Sequence, residues 1–263
     1  MPKLFKFLRT PLNAGSRRKN RQAPRPTAPV AFPEASPPQA PMPYDAFLVT
    51  LGQPTRPAPL TIEDVAAEAR RLDVPRANLL TILSVESNQA GFHQHSNGLW
   101  YPTARYEAHK GGKFTDYMFV EQAPDMFRRR FSAQHGNISQ EGHYRRMSAA
   151  MEMAAPFFGR EPIIRATSWG LGQIMGFNAR YAGKATPQRL AEEAALSNVA
   201  QLGLFTAFIE NAGIRDELAV VNPQYSHWAA FARQYNGPQN VDAYARRCAR
   251  AYHTIIGNGR ALS

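Results

Sequence analysis

The chain has 263 residues, 44% of them apolar, enough for one sizeable hydrophobic core. Its formal charge of +11 is uneven, because residues 1–60 hold thirteen of the 21 prolines and nine basic against two acidic side chains, a net +7 that leaves the rest only mildly basic, so no nucleic-acid partner is expected. The single cysteine, Cys248, excludes an intramolecular disulfide and any CxxC metal site, and no stretch reaches the roughly 18–20 apolar residues of a membrane span.

In chain order, MPKLFKFLRTPL opens with a positive flank, but Lys6 and Arg9 break its apolar run, which is too short for a signal-peptide core. The arm that follows, RRKNRQAPRPTAPVAFPEASPPQAPMP, is Pro-rich and of low complexity and reads as extended and disordered when alone. It is either a solvated linker or, since Leu4, Phe5, Phe7 and Leu8 alternate with Lys3, Lys6 and Arg9, a contact for an anionic surface. Residues 1–60 are assigned to this arm and 61–263 to a folded domain.

Helical signals begin at Thr61, an N-cap with Glu63 and Asp64 in the first turn. After Asp73 and Pro75 a second helix starts, PRANLLTILSVES, in which Leu79, Ile82, Leu83 and Glu86 share spacings of three and four. Glu86 therefore faces the core side at the last turn, where a carboxylate is costly unless it has a task or a partner. In AGFHQHSNGLWYPTARYEAH the Asn97-Gly98 pair predicts a type I′ turn between short strands, a small hairpin between Glu86 and Glu107. From Glu107 to about Gly142 the pattern is irregular and suggests a long surface excursion. The segments YRRMSAAMEMAAPFF, PQRLAEEAALSNVAQLGLFTAFIENAG, HWAAFARQYNG and NVDAYARRCARAYHTII carry helix-period apolar spacing. Cys248, in the last of them, suits helix packing. The expected class is mainly α (α+β): a helical domain with a small β-hairpin wing behind an extended arm.

Three segments stand apart: VES at 85–87, SWGLGQIMG at 168–176 and QYNGPQNVDAY at 234–244. ATSWGLGQIMGFN reads as the start of a buried helix that carries two glycines and a glutamine. Gly170 and Gly172 would let backbone approach a ligand closely, and Gln173 can donate and accept at once. Trp169 could stack on a ring or fill core. His93 and His95 alternate on one strand, but no ligand spacing with a mechanism is present, so neither metal nor cofactor is expected.

With YEAH at 106–109 and FARQYNGP at 231–238, these segments and their order resemble the lysozyme-like superfamily, and within it the N-acetylmuramidase domain of bacteriophage endolysins, from about residue 61 to the C-terminal end. The resemblance implies a lysozyme-like fold and peptidoglycan glycan strands as substrate. It implies Glu86 as general acid, Glu107 as the second carboxylate, and Ser168, Trp169, Gly170, Gly172, Gln173, Tyr235 and Asn236 along the saccharide cleft. The chain departs from the family pattern in Ala108, where an arginine usually follows the second glutamate, and in a longer interval between the two glutamates. Burial against Leu79, Ile82 and Leu83 would raise the Glu86 pKa, as a proton donor to a glycosidic oxygen requires.

The leading reading is a hydrolase of the β-1,4 bond between N-acetylmuramic acid and N-acetylglucosamine, made in the cytoplasm and acting in the periplasm or cell wall after release, or carried in a virion. The alternatives are a lytic transglycosylase, which needs one glutamate and gives 1,6-anhydromuramyl products, and a non-catalytic wall-binding virion component. Under each, the arm would meet an anionic envelope surface or virion proteins.

Overall fold

A computed structural model of the protein describes residues 44–86, 90–132, 136–220, 222–238 and 240–259. Most of the arm, residues 1–43, and Ser87 of the first motif lie outside the described residues. Among these residues the architecture is a mainly helical body with two small antiparallel sheets, the mainly α (α+β) class implied by the sequence.

Helix α1 (Ala46–Thr50) lies in what the sequence assigns to the arm. Asp45 caps it by accepting from the Phe47 N–H, and Arg160 Nε reaches both Asp45 oxygens at 2.8 Å. Leu48 and Leu51 are buried in the main core, and the chain beyond them bridges the wing through Gln53 and Trp100. The packed body thus takes in residues well before 61. The prolines and charge of 1–60 mask these two leucines, because composition averages over a window while burial acts on single side chains.

Helix α2 (Ile62–Leu72) starts on the Thr61–Asp64 capping box and stops at Asp73, which adopts φ 54°. Helix α3 (Arg76–Glu86) follows Pro75 and buries Leu79, Ile82 and Leu83. The buried Asn78 amide anchors it by donating to the carbonyls of Leu218 (2.8 Å) and Val220 (2.7 Å).

Strand β1 (Phe92–Gln94) pairs with β2 (Trp100–Pro102) to form the expected wing, with Gln94 opposite Trp100. The connection is not the expected type I′ turn. Only Gly98 takes a positive φ (82°), its N–H donates to the His95 carbonyl, and the His95 N–H donates to Leu99. That is a three-residue loop closed by a left-handed glycine, with the Asn97 side chain accepting from the Leu99 N–H instead of bending its own backbone.

Strand β3 (Ala104–Tyr106) leads into α4 (Ala108–Phe114), so the expected surface excursion opens with a helix. Phe119, Ala123 and Phe127 then pin the following turns to the core. Helix α5 (Gln140–Phe158) begins on Ser139, whose hydroxyl accepts from the Gly142 N–H, and the short α6 (Glu161–Arg165) follows it.

The segment expected to start a buried helix is a β-hairpin. Strand β4 (Thr167–Trp169) pairs with both β3 and β5 (Ile174–Met175), and a single 3-10 turn (Gly176–Asn178) ends the segment. Gly170 (φ 69°) and Gln173 (φ 46°) make the turn, which an α-helix cannot accommodate.

The long apolar segment that follows splits into α7 (Pro187–Ala194) and α8 (Asn198–Asn211), because Ser197 caps the second piece by accepting from the Ala200 N–H. Helix α8 buries residues on nearly all sides, among them Leu202, Phe205, Phe208 and Ile209, and forms the centre of the core against α2, α7 and β5. After α9 (Arg215–Leu218), helices α10 (Tyr225–Tyr235) and α11 (Val241–Gly259) pack on each other, and α11 packs along α3. Trp228, Phe231, Ala245 and the buried Cys248 fill that contact, and desolvation pushes the thiol up to about 12, which suits packing rather than reactivity.

Candidate active site

The sequence places Glu86 on the apolar side of α3, and the packing of α11 against that helix turns this into a site. Glu86 is the last residue of α3 and is half-buried. The Tyr244 hydroxyl, from α11, donates to its Oε1 at 2.7 Å. One turn along α11, Arg247 Nη2 donates to the Val85 carbonyl at 2.6 Å, satisfying one of the open carbonyls at the end of α3. Desolvation holds the Glu86 carboxyl above the usual glutamate range, while the Tyr244 bond and the Arg247 charge pull the other way.

Another part of the lining comes from β3 and the start of α4. Glu107 occupies the N-cap position of α4 without a capping side-chain bond, so its carboxylate is left for other partners. Its backbone N–H donates to Ala166 (3.0 Å), and its oxygens pair with Arg105 Nε (3.2 Å) and His109 Nδ1 (3.4 Å).

The hairpin β4–β5 forms the floor. The Ser168 hydroxyl donates to Gln173 Oε1 (2.9 Å), and Gln173 Nε2 donates to the Gly170 carbonyl (2.9 Å), so the glutamine braces the turn and keeps one N–H and a carbonyl lone pair for a ligand. Packing in the core requires both glycines. A Cβ on Gly172 would stand 2.5 Å from the Phe205 ring, and one on Gly170 would stand 2.9 Å from the Gln201 side chain on a left-handed backbone. The Gly172 carbonyl accepts from the Tyr235 hydroxyl at 2.9 Å, which ties the floor to α10. Trp169 is only 1% exposed, meets Tyr144 edge-on and donates to the Ile164 carbonyl, so it fills core and offers no stacking face.

These walls enclose a cleft of about 750 Å³. It gathers Glu86, Glu107, Ser168, Gly172, Gln173, Tyr235 and Asn236 from the expected site, and leaves out Trp169 and Gly170. Tyr244, Arg247, Asn178 and Arg105 also line it without having been named as site residues, although Tyr244 and Asn178 fall within the segments singled out in the sequence. The first two sit three apart on α11, a spacing that puts them on one helix face, but nothing in the sequence pairs that face with α3. His93 and His95 lie on the wing, each with a buried Nε2 that lacks a partner, and among the described residues no three His, Cys, Asp or Glu gather as a metal would need. The cleft brings together a desolvated glutamate side chain that burial favours in its neutral form, a second glutamate side chain and several hydrogen-bonding groups.

Comparison with known proteins is consistent with that chemistry. A family model described as Muramidase (N-acetylmuramidase) matches residues 75–255. Among solved structures, the Burkholderia AP3 phage endolysin matches with 25% identity and a TM-score of 0.62, over 76% of this chain and 73% of that one. No curated protein matches.

Proposed function

The chain belongs to the N-acetylmuramidase family and is a peptidoglycan-cleaving glycosidase of lysozyme-like fold, and from that premise we propose that it hydrolyses the β-1,4 bond between N-acetylmuramic acid and N-acetylglucosamine. The observation that carries the proposal is Glu86: a half-buried carboxyl at a helix end, held above the ordinary range by desolvation and lining the same cleft as a second carboxyl group, that of Glu107. In this reading Glu86 gives its proton to the glycosidic oxygen as the bond to muramyl C1 breaks. Glu107 then takes a proton from the water whose oxygen adds to C1, and exchange with solvent removes that proton from Glu107 and returns one to Glu86. Gln173, Asn236 and Asn178, which line the cleft, hydrogen-bond the sugars in this reading.

A lytic transglycosylase is the second reading, favoured by the pairing of Glu107 with Arg105 and His109, which suits a structural carboxylate. There the muramyl 6-hydroxyl replaces water at C1. Mass spectrometry of muropeptides released from purified peptidoglycan decides between them. Reducing N-acetylmuramic ends that vanish in Glu86→Gln and fall sharply in Glu107→Gln support hydrolysis. Anhydro ends, lighter by one water, support the transglycosylase, and full activity in a folded Glu86→Gln variant refutes both. The biological setting we propose is phage-mediated lysis, with the basic arm holding the enzyme at an anionic envelope.

A further inference from the structure

The contact between α11 and the end of α3 does more than bury surface. Glu86 Oε1 accepts from Tyr244, a residue only 7% exposed whose ring lies 6.2 Å from that of Tyr235, itself stacked on Phe231. The hydroxyl is therefore held from behind by a row of rings. Arg247 grips the carbonyl of the residue before Glu86 and fixes the last turn of α3, which would otherwise fray.

We propose, resting on the assignment of Glu86 as the general acid, that Tyr244 and Arg247 are its positioning residues: the Tyr244 hydroxyl claims Oε1, so the acidic proton is carried on Oε2, and Arg247 fixes the helix end that aims it. The chemistry follows from hydrogen-bond roles. In a neutral carboxylic acid the carbonyl oxygen is the stronger acceptor, so a hydroxyl that donates to one oxygen favours the tautomer whose proton sits on the other. A carboxyl with a free choice would carry its proton on either oxygen, and only one orientation can be aimed at the glycosidic bond.

Few charged groups compete for this role. On α11, Tyr244 and Arg247 act on Glu86, with the buried Cys248 thiol beside them, and α10 contributes the Tyr235 phenol. Glu107 and Arg105 line the same cleft. Along α2, which also packs on α3, Asp64 is engaged with Thr61, Glu68 and Arg71 pair with each other and Arg71 with Glu210, while Glu63 and Arg70 face solvent.

The test is the pH dependence of kcat/KM on solubilised peptidoglycan for wild type, Tyr244→Phe, Arg247→Gln, Arg247→Lys and Glu86→Gln, each checked for its melting temperature. The alkaline limb reports loss of the acidic proton. Because Tyr244 and Arg247 both favour the carboxylate form, removing either raises the Glu86 pKa, so Tyr244→Phe moves the limb up by about one pH unit. It also lowers the rate at the optimum about tenfold through misaimed protons. Arg247→Gln moves the limb the same way by less, and Arg247→Lys keeps it near wild type by retaining the charge. Arg247 is exposed, so its variants keep the question open to measurement even where Tyr244→Phe folds poorly. Limbs unmoved in Tyr244→Phe and Arg247→Gln, with Glu86→Gln inactive, overturn the positioning role and leave Glu86 as the acid. An active Glu86→Gln overturns both.

Discussion

Lowering the pH from 7 toward 4 should destabilise the fold through two buried imidazoles. His143 is 2% exposed and His95 5%, and each is held to about 4, below the ordinary 6.5. Desolvation is the main cause in both, and Arg105 and Arg146 add to it at His143. The geometry agrees, because His143 Nδ1 accepts from the Tyr106 N–H at 3.3 Å, and a proton there would set a buried donor against a donor. A group that folding keeps neutral leaves the unfolded chain binding more protons, so stability falls with pH between the two pKa values, here about 6.5 and 4. At ~1.4 kcal/mol per pH unit for each group, the loss is ~3 kcal/mol per histidine by pH 4. Glu86, raised on folding, opposes this, since the native state gains its proton first. Glu141, lowered to about 2 mainly by Ser96, costs stability only as the pH drops below the ordinary carboxylate range. Urea unfolding at constant ionic strength, followed by the fluorescence of the buried Trp169 and Trp228, measures the slope directly. His143→Gln can still accept from Tyr106 but does not titrate, so it should lose ~1–2 kcal/mol at pH 7 and show a slope between pH 6 and 4.5 reduced by about half. A flat wild-type profile, or an unchanged slope in the variant, would show that these imidazoles are not held neutral by burial.

Removing residues 1–43 should leave activity on purified peptidoglycan within about twofold while weakening action on whole cells; equal loss on both substrates would count against a tethering arm. Extending the deletion to residue 55 should also lower the melting temperature, and with it activity on both substrates, because it takes out Leu48 and Leu51, each worth about 2–5 kcal/mol in the core, and the Asp45–Arg160 pair. Gly172→Val should cost about 1–3 kcal/mol by driving a side chain into Phe205, and should lower activity as the cleft floor shifts. Gly203→Ala, on α8 with open space beside it, should instead raise stability by up to about 1 kcal/mol, a contrast that calorimetry on the two variants checks.

The features legible in the chain alone follow from forces that act over a few residues. The Thr61 cap, the split of apolar faces into helices, the wing strands flanking Asn97-Gly98 and the placement of Glu86 at the end of α3 all rest on hydrogen bonds or side-chain spacings within one or two turns. The segment 166–178 shows where such reasoning fails. Its glycines fit a tight helix start as well as a hairpin turn, and the choice came from β3, some 60 residues earlier in the chain, which offers β4 a ladder, and from Phe205, which leaves no room for side chains at Gly172. Trp169 faced the core for the same reason, since pairing with Ala104 sets its register and a strand alternates its faces. Only the tertiary structure could bring Tyr244 and Arg247 to Glu86, about 160 residues apart in sequence. Hydrogen bonds at that separation leave no periodic trace in the chain, because they are fixed by how α11 lies along α3 and not by the propensity of either helix.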